Sequence, residues 1–236
     1  MNQKAAALFH GVLQSGRHVQ IKLLGDSITH GVGGTGFAQN GARINEKFAR
    51  NPDGYCWARR FKEHLEANYD CTVINNGCNG IGLLYAAEHF EELVSPEDDL
   101  ILCTLGTNNR HQVMSSGPKR TPQEQADRVY GFLLKLHDML LASGKPVIFM
   151  ANIPASRENE QDGEDYWRLI HMSDIRELYR KAAAERGFPL ISMYDRFTEY
   201  CEENGIPVDE LLCDGLHPND RGYDVMFALL KKELGL

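Results

Sequence analysis

A serine, an aspartate and a histidine in this sequence stand in settings that suit nucleophilic acyl transfer. Ser27 follows the turn Gly25-Asp26, directly after an apolar run, in "KLLGDSITHG". Asp214 and His217 lie three residues apart in "CDGLHPND". A serine nucleophile needs an imidazole to take its proton and a carboxylate to orient that imidazole. It also needs donors aimed at the oxyanion of the tetrahedral intermediate. Asp214 is close enough in sequence to accept a hydrogen bond from His217 Nδ1, leaving Nε2 to face Ser27, and Pro218 helps fix the chain leaving that turn. The oxyanion could be met by the backbone N–H groups of Ser27 and of Gly80 in "NNGCNG", with the side-chain amide of Asn108 in "GTNN".

Each of these residues also has a plainer reading. Ser27 could cap a turn, and Asp26 is better suited to an Asx-type bond that shapes the turn than to acid catalysis. His217 could be a surface residue before a helix, and His111 either lines a pocket or is a solvated loop residue. Asp214 and His217 alone are too few ligands for a metal, so none is expected. Gly31, Gly33 and Gly36 spell G-x-G-x-x-G, a dinucleotide-binding spacing. They start six residues beyond the apolar run, and the polar "FAQNGARINEK" with Gly41 follows, where a phosphate-binding loop would open a helix with apolar spacing. These glycines are read as backbone freedom around a pocket. No Gly-Lys-Ser/Thr and no G-x-S-x-G is present, which removes a Walker loop and the α/β-hydrolase elbow.

The elements that must position these groups are legible as apolar runs. "VQIKLL" (19–24), "CTVIN" (71–75), "LILCTL" (100–105), "PVIFMA" (146–151) and "PLISM" (189–193) are continuous rather than alternating, as in strands covered on both faces. Helical spacing marks 55–69, where Trp57, Phe61 and Leu65 recur as core positions, and also 121–143. It predicts a third helix over 165–187, capped by Gly187, and a fourth over 219–236, capped by Asn219 or Asp220. Tyr166 and Trp167 serve either as lid or as packing. Alternating strands and helices imply a parallel sheet of about five strands in a three-layer α/β/α sandwich. No linker or repeat divides the chain, so residues 1–236 are expected to form one domain. The irregular stretches 26–54, 106–120 and 152–164 follow strand ends and should share the ligand-binding edge of the sheet.

Composition narrows the partners. The 236 residues are 42% hydrophobic and 25% charged, with a net charge of −8 and no basic block, so a nucleic-acid surface is not expected. The N-terminus lacks the pattern of a secretory signal, and no apolar stretch is long enough to cross a bilayer. Six cysteines at 56, 71, 78, 103, 201 and 213 form no C-x-x-C and no Cys/His cluster. Free thiols in a cytoplasmic protein are the expectation, with Cys103 a core residue.

The four polar blocks "GDSITHG", "NNGCNG", "GTNN" and "DGLHPND" together resemble, in order, the blocks of the SGNH (GDSL-type) hydrolases. The resemblance runs from about residue 20 to the end. It implies a flavodoxin-like fold and ester hydrolysis through an acyl-serine, with no cofactor. Ser27 would be nucleophile and oxyanion donor, Gly80 and Asn108 the further donors, His217 the base and Asp214 its partner. The third block departs from the usual Gly-x-Asn-Asp, because Asn109 replaces the aspartate, and this puts the local hydrogen bonding of the loop in question. No long apolar lid is evident, which favours short acyl groups on a polar alcohol such as a carbohydrate. A lysophospholipase or thioesterase, or a non-catalytic binding module on the same scaffold, are the alternatives. Oligomeric state is not readable from the chain.

Overall fold

The computed structural model describes residues 2–37 and 54–236, so most of "FAQNGARINEK", Gly41 included, lies outside the described residues. All five apolar runs are strands: β1 (Val19–Gly25), β2 (Cys71–Gly77), β3 (Leu100–Thr104), β5 (Val147–Ala151) and β7 (Leu190–Ser192). They form one sheet in the order β2-β1-β3-β5-β7, with every neighbouring pair parallel. The order runs outward from β1 in both directions, so the chain reverses between β1 and β3. In such sheets ligands bind beyond the carboxyl ends of the strands at that reversal.

Side chains alternate between two buried faces. Ile21, Leu23, Leu100 and Leu102 join one apolar cluster, together with Phe9, Trp57, Phe61, Phe197 and Leu230. Leu24, Ile101 and Cys103 join the other, with Leu133, Leu136, Ile175 and Tyr179. A period of two with both faces apolar is what a sheet between two helix layers requires. The helices are α1 (Gln3–Leu13), α3 (Trp57–Asn68), α8 (Met193–Asn204) and α9 (Asp220–Leu234) on the first face. On the second lie α4 (Leu83–Glu88), α5 (Phe90–Leu93), α6 (Pro122–Ala142) and α7 (Met172–Arg186), while the single-turn α2 (Ser27–His30) follows β1. The fold is thus the expected three-layer α/β/α sandwich. Among the described residues no helix is long and apolar enough to cross a membrane.

Helix ends follow local chemistry. Thr121 and Glu124 form a capping box with Pro122 in the first turn of α6, and Asn219 caps α9 by accepting from Gly222 N–H. Gly187 closes α7 in the left-handed conformation (φ 75°).

One expectation is corrected. The helix predicted over 165–187 begins only at Met172. Tyr166–Arg168 instead form β6, antiparallel to β4 (His111–Val113), with His111 opposite Arg168 and Val113 opposite Tyr166. The helical spacing of this segment was real from residue 172 onward. Further upstream, pairing with β4 outweighs it, and the His171 backbone N–H bonded to Asp174 opens the helix.

Candidate active site

The turn after β1 is set by its own residues. Asp26 caps α2 by accepting from Ile28 N–H at 3.0 Å, which leaves Ser27 as the first residue of that turn of helix. Its N–H therefore has no helical acceptor. Gly25 has no room for a side chain, since a Cβ there would lie 2.1 Å from Thr29 Oγ1 and 2.2 Å from Thr104 Oγ1. Ser27 is only 3% exposed.

His217, 190 positions away, and Asp214 arrive through a second self-bonded turn. Asp214 Oδ1 accepts from the backbone N–H groups of Leu216 (3.0 Å) and His217 (2.8 Å). The Cys213 N–H donates to His217 O at 2.8 Å. This turn places His217 Nδ1 2.7 Å from Asp214 Oδ2 and His217 Nε2 2.8 Å from Ser27 Oγ. Burial alone would raise the Asp214 carboxyl. Hydrogen bonds from the His217 ring and backbone and from Leu216 outweigh that and hold it well below the usual carboxylate range. Asp214 is thus an anion aligned with the imidazole.

Of the glycines after Ser27, Gly33 abuts the turn that carries His217, while Gly31 abuts Cys56. Gly31, Gly33 and Gly36 all have positive φ (111°, 95° and 81°). A Cβ on Gly33 would lie 2.5 Å from Pro218 O and 3.2 Å from His217 Cβ. The segment is tied to α9 from both sides: Tyr223 Oη donates to Val32 O at 2.6 Å, and the Thr35 N–H and hydroxyl donate to Asp220 at 2.7 and 2.6 Å. Of the G-x-G-x-x-G glycines, only Gly33 packs close to His217; all three hold positive φ.

The loops carrying Gly80 and Asn108 are joined to the same edge. The Cys78 N–H donates to Gly25 O (2.9 Å), and Asn108 Nδ2 donates to Ile81 O (2.8 Å), leaving its second N–H for another acceptor. Gly80 is exposed at φ 78°. Asn109 also has a definite role. Its Oδ1 accepts from Leu83 N–H at 2.9 Å at the start of α4, and its backbone carbonyl accepts from Gln125 Nε2 at 2.6 Å. An amide oxygen serves as this acceptor as a carboxylate would, so the loop is held with asparagine in place.

Two further residues, Asn152 and Arg110, were not singled out from sequence. The buried Asn152, one residue past β5, has its Nδ2 within 3.1 Å of Asp26 Oδ2, 3.1 Å of Thr104 O and 2.8 Å of Thr107 Oγ1. Burial pushes the Asp26 carboxyl up to about 6, against hydrogen bonds from Thr107 and Ile28. Arg110, 1% exposed, reaches from the Asn108 loop to Thr107 O, Glu160 Oε2 and Asn159 Oδ1. A polar residue directly after a wholly buried strand was the available signal for Asn152. Arg110 had none, because its side-chain partners Asn159 and Glu160 lie about 50 residues away.

His111 and Tyr166 meet edge to face at 4.7 Å on the β4–β6 ribbon, and Lys119 lies over the Trp167 ring. Burial first, then the charges of Arg168 and Arg110, lower His111 to about 4, so it is neutral at ordinary pH. Among the described residues no group of three or more His, Cys, Asp or Glu side chains is arranged to hold a metal ion.

A family model described as GDSL-like lipase/acylhydrolase matches residues 23–225. No curated protein matches the chain by sequence. Among solved structures, the acetylxylan esterase Axe2 of Geobacillus stearothermophilus superposes with a TM-score of 0.65 at 19% identity, over 92% of this chain and 94% of that one. Catalytic mutants of Axe2 carry substitutions at a serine, an aspartate and a histidine. A two-domain esterase active on acetylated mannans aligns over 98% of this chain and 52% of its own (TM-score 0.64, 18% identity). LAE5, an α/β hydrolase from the metagenome of Lake Arreo, Spain, aligns over 92% and 95% (TM-score 0.64, 19% identity).

Proposed function

The chain belongs to the GDSL-like lipase/acylhydrolase family and is a carboxylic ester hydrolase, and from that premise we propose that it cleaves short acyl esters, acetyl above all, from a carbohydrate alcohol through an acyl-serine. The observation that carries this reading is the continuous line from Asp214 through His217 to Ser27, at 2.7 and 2.8 Å. In the first half-reaction Ser27 Oγ attacks the ester carbonyl while His217 Nε2 takes its proton. The imidazolium, stabilised by ionised Asp214, then protonates the departing alcohol. Water enters, gives its proton to His217 and attacks the acyl-serine, releasing the acid and restoring Ser27.

The oxyanion formed in each half-reaction is met by the N–H of Ser27, the N–H of Gly80 and the free N–H of Asn108. Removing one such donor typically costs about 10²–10³ in kcat, so Asn108→Ala is expected to lose that much. No cofactor enters these steps. The acetyl-sugar preference is supported by two structural neighbours, one an acetylxylan esterase and one active on acetylated mannans. The test is turnover of p-nitrophenyl acetate and of acetylated oligosaccharides by the purified protein and its Ser27→Ala variant. The variant is expected to fold and to be inactive on both; hydrolysis at the wild-type rate by Ser27→Ala would refute the assignment.

A further inference from the structure

Ser27 and Asn108 follow different strands, β1 and β3, so an oxyanion hole built from both works only if the two turns keep one spacing. The residue before each of them belongs to a single buried cluster. Asp26 precedes Ser27, Thr107 precedes Asn108, and Asn152 from the end of β5 bonds to both. We propose that the Asp26 carboxylate is a positioning residue for the oxyanion hole, setting through Thr107 and Asn152 the spacing between Ser27 and Asn108. This rests on the esterase reading above, in which Asp26 only shapes the turn.

The donors of the cluster are arranged for an anion. Asp26 Oδ1 accepts from the Ile28 N–H at 3.0 Å, and Oδ2 lies 3.1 Å from Asn152 Nδ2. The Thr107 hydroxyl is a third donor. Its proton is free for this, because its oxygen accepts from Asn152 Nδ2 at 2.8 Å. Asn152 is turned so that Nδ2 meets three oxygens, Thr104 O among them at 3.1 Å. Its Oδ1 is buried with no hydrogen-bond partner among the described residues, which costs stability. The reverse orientation would aim Oδ1 at a carboxylate and a carbonyl, so the unpaired oxygen follows from serving Asp26.

The carboxylate is itself costly to the fold, because burial pushes it up to about 6. An asparagine would fill the same space and still cap α2 without burying a charge. It could not also accept from Thr107 and Asn152, since only one of its two terminal atoms is an acceptor. The short turn Thr107–Arg110, which carries Asn108, would then lose its tie to the Ser27 turn. A misplacement of about 1 Å at a reacting centre costs about 10²-fold in rate.

Charge alone does not account for the carboxylate. His217 and Arg110 favour its ionised form, and Arg110 is itself paired with Glu160 at 2.7 Å. Cys103 on β3, Tyr179 on α7 and Tyr223 on α9 also feel its charge; burial raises all three, so they are neutral at ordinary pH. In the transition state the Asp26 charge favours the imidazolium and opposes the oxyanion, two effects of opposite sign. Its geometric role is free of that conflict. The carboxylate is present above about pH 6 and lost below it, so the tie tightens as pH rises.

The experiment measures kcat and KM for p-nitrophenyl acetate between pH 5 and 8, with Ser27→Ala as blank and circular dichroism to check each fold. Above pH 7, Asp26→Asn and Thr107→Val should each lose about 10–100-fold in kcat with KM little changed. Thr107→Ser keeps the hydroxyl and should recover most of that loss. The kcat ratio of wild type to Asp26→Asn should fall severalfold between pH 7 and pH 5, where wild type carries a protonated carboxyl. A merely structural role would lower stability together with activity, whereas Asp26→Asn should gain stability above pH 6 while losing kcat. Equal kcat in wild type and Asp26→Asn, a ratio constant with pH, or Thr107→Ser no better than Thr107→Val would each overturn the inference. A folded wild type that hydrolyses no ester removes the esterase reading and this inference together; an active wild type with unmoved variants removes the inference alone.

Discussion

At the scale of single residues, the site depends on two carboxylates with opposite environments. Asp214 accepts three hydrogen bonds and is half exposed, so it stays ionised well into acid. Asp214→Asn keeps the shape but removes the charge that favours the imidazolium. The expected outcome in steady-state kinetics is a kcat lowered by roughly 10²–10⁴ with KM little changed. Asp26 is wholly buried beside Ser27, and burial raises it to about 6 from 3.8. The folded protein then holds this proton more tightly than the unfolded chain. The group costs nothing below about pH 4 and costs about 3 kcal/mol once pH exceeds 6. Denaturation of wild type and Asp26→Asn across pH 4–8 should show the variant gaining on wild type by up to about that amount as pH rises. A constant difference between the two curves would show that Asp26 does not titrate in the fold.

At the scale of elements, short self-bonded turns carry the proposed catalytic groups while strands and helices supply their spacing. Gly33 shows how tightly these turns abut. Gly33→Ala would force a Cβ to 2.5 Å from Pro218 O and hold a non-glycine residue at φ 95°. Strain of this kind costs about 1–3 kcal/mol. The variant should lose that much stability by chemical denaturation, and kcat should fall more than stability alone explains, because the nearest neighbours include His217. The sequence marked these glycines as a pocket feature but not what they pack against, since Pro218 lies 185 positions away. Residues 165–187 failed in part for the same reason: β6 exists only because β4 is there to pair with it. The five strands were legible because burial on both faces leaves continuous apolar runs. The helices α1 and α8, and the short α2, α4 and α5, were not anticipated.

At the scale of the whole molecule, the sheet brings Ser27 to a histidine near the other end of the chain. One buried pair inside it is Lys22 on β1 with Asp98, at 3.3 Å, with side chains 2% and 0% exposed. Asp98 also accepts from Ser95 N–H and Gln20 Nε2. Lys22→Met removes one charge and leaves the other buried, so unfolding free energy is expected to fall by about 3–5 kcal/mol in a denaturant titration. Lys22 reads in sequence only as an interruption of an apolar run. Its role depends on Asp98, which the sequence does not point to. The pairing of Ser27 with Asp214 and His217 was legible only because four blocks occurred in order and each stood at a strand end or helix start. The central claim, that this long-range assembly makes Ser27 a nucleophile, is tested most directly by reacting the folded protein with a fluorophosphonate and mapping the adduct by peptide mass spectrometry. The account predicts a single adduct on Ser27, lost in Ser27→Ala and strongly slowed in His217→Ala. No adduct on the folded protein, or one elsewhere that persists in Ser27→Ala, would contradict it.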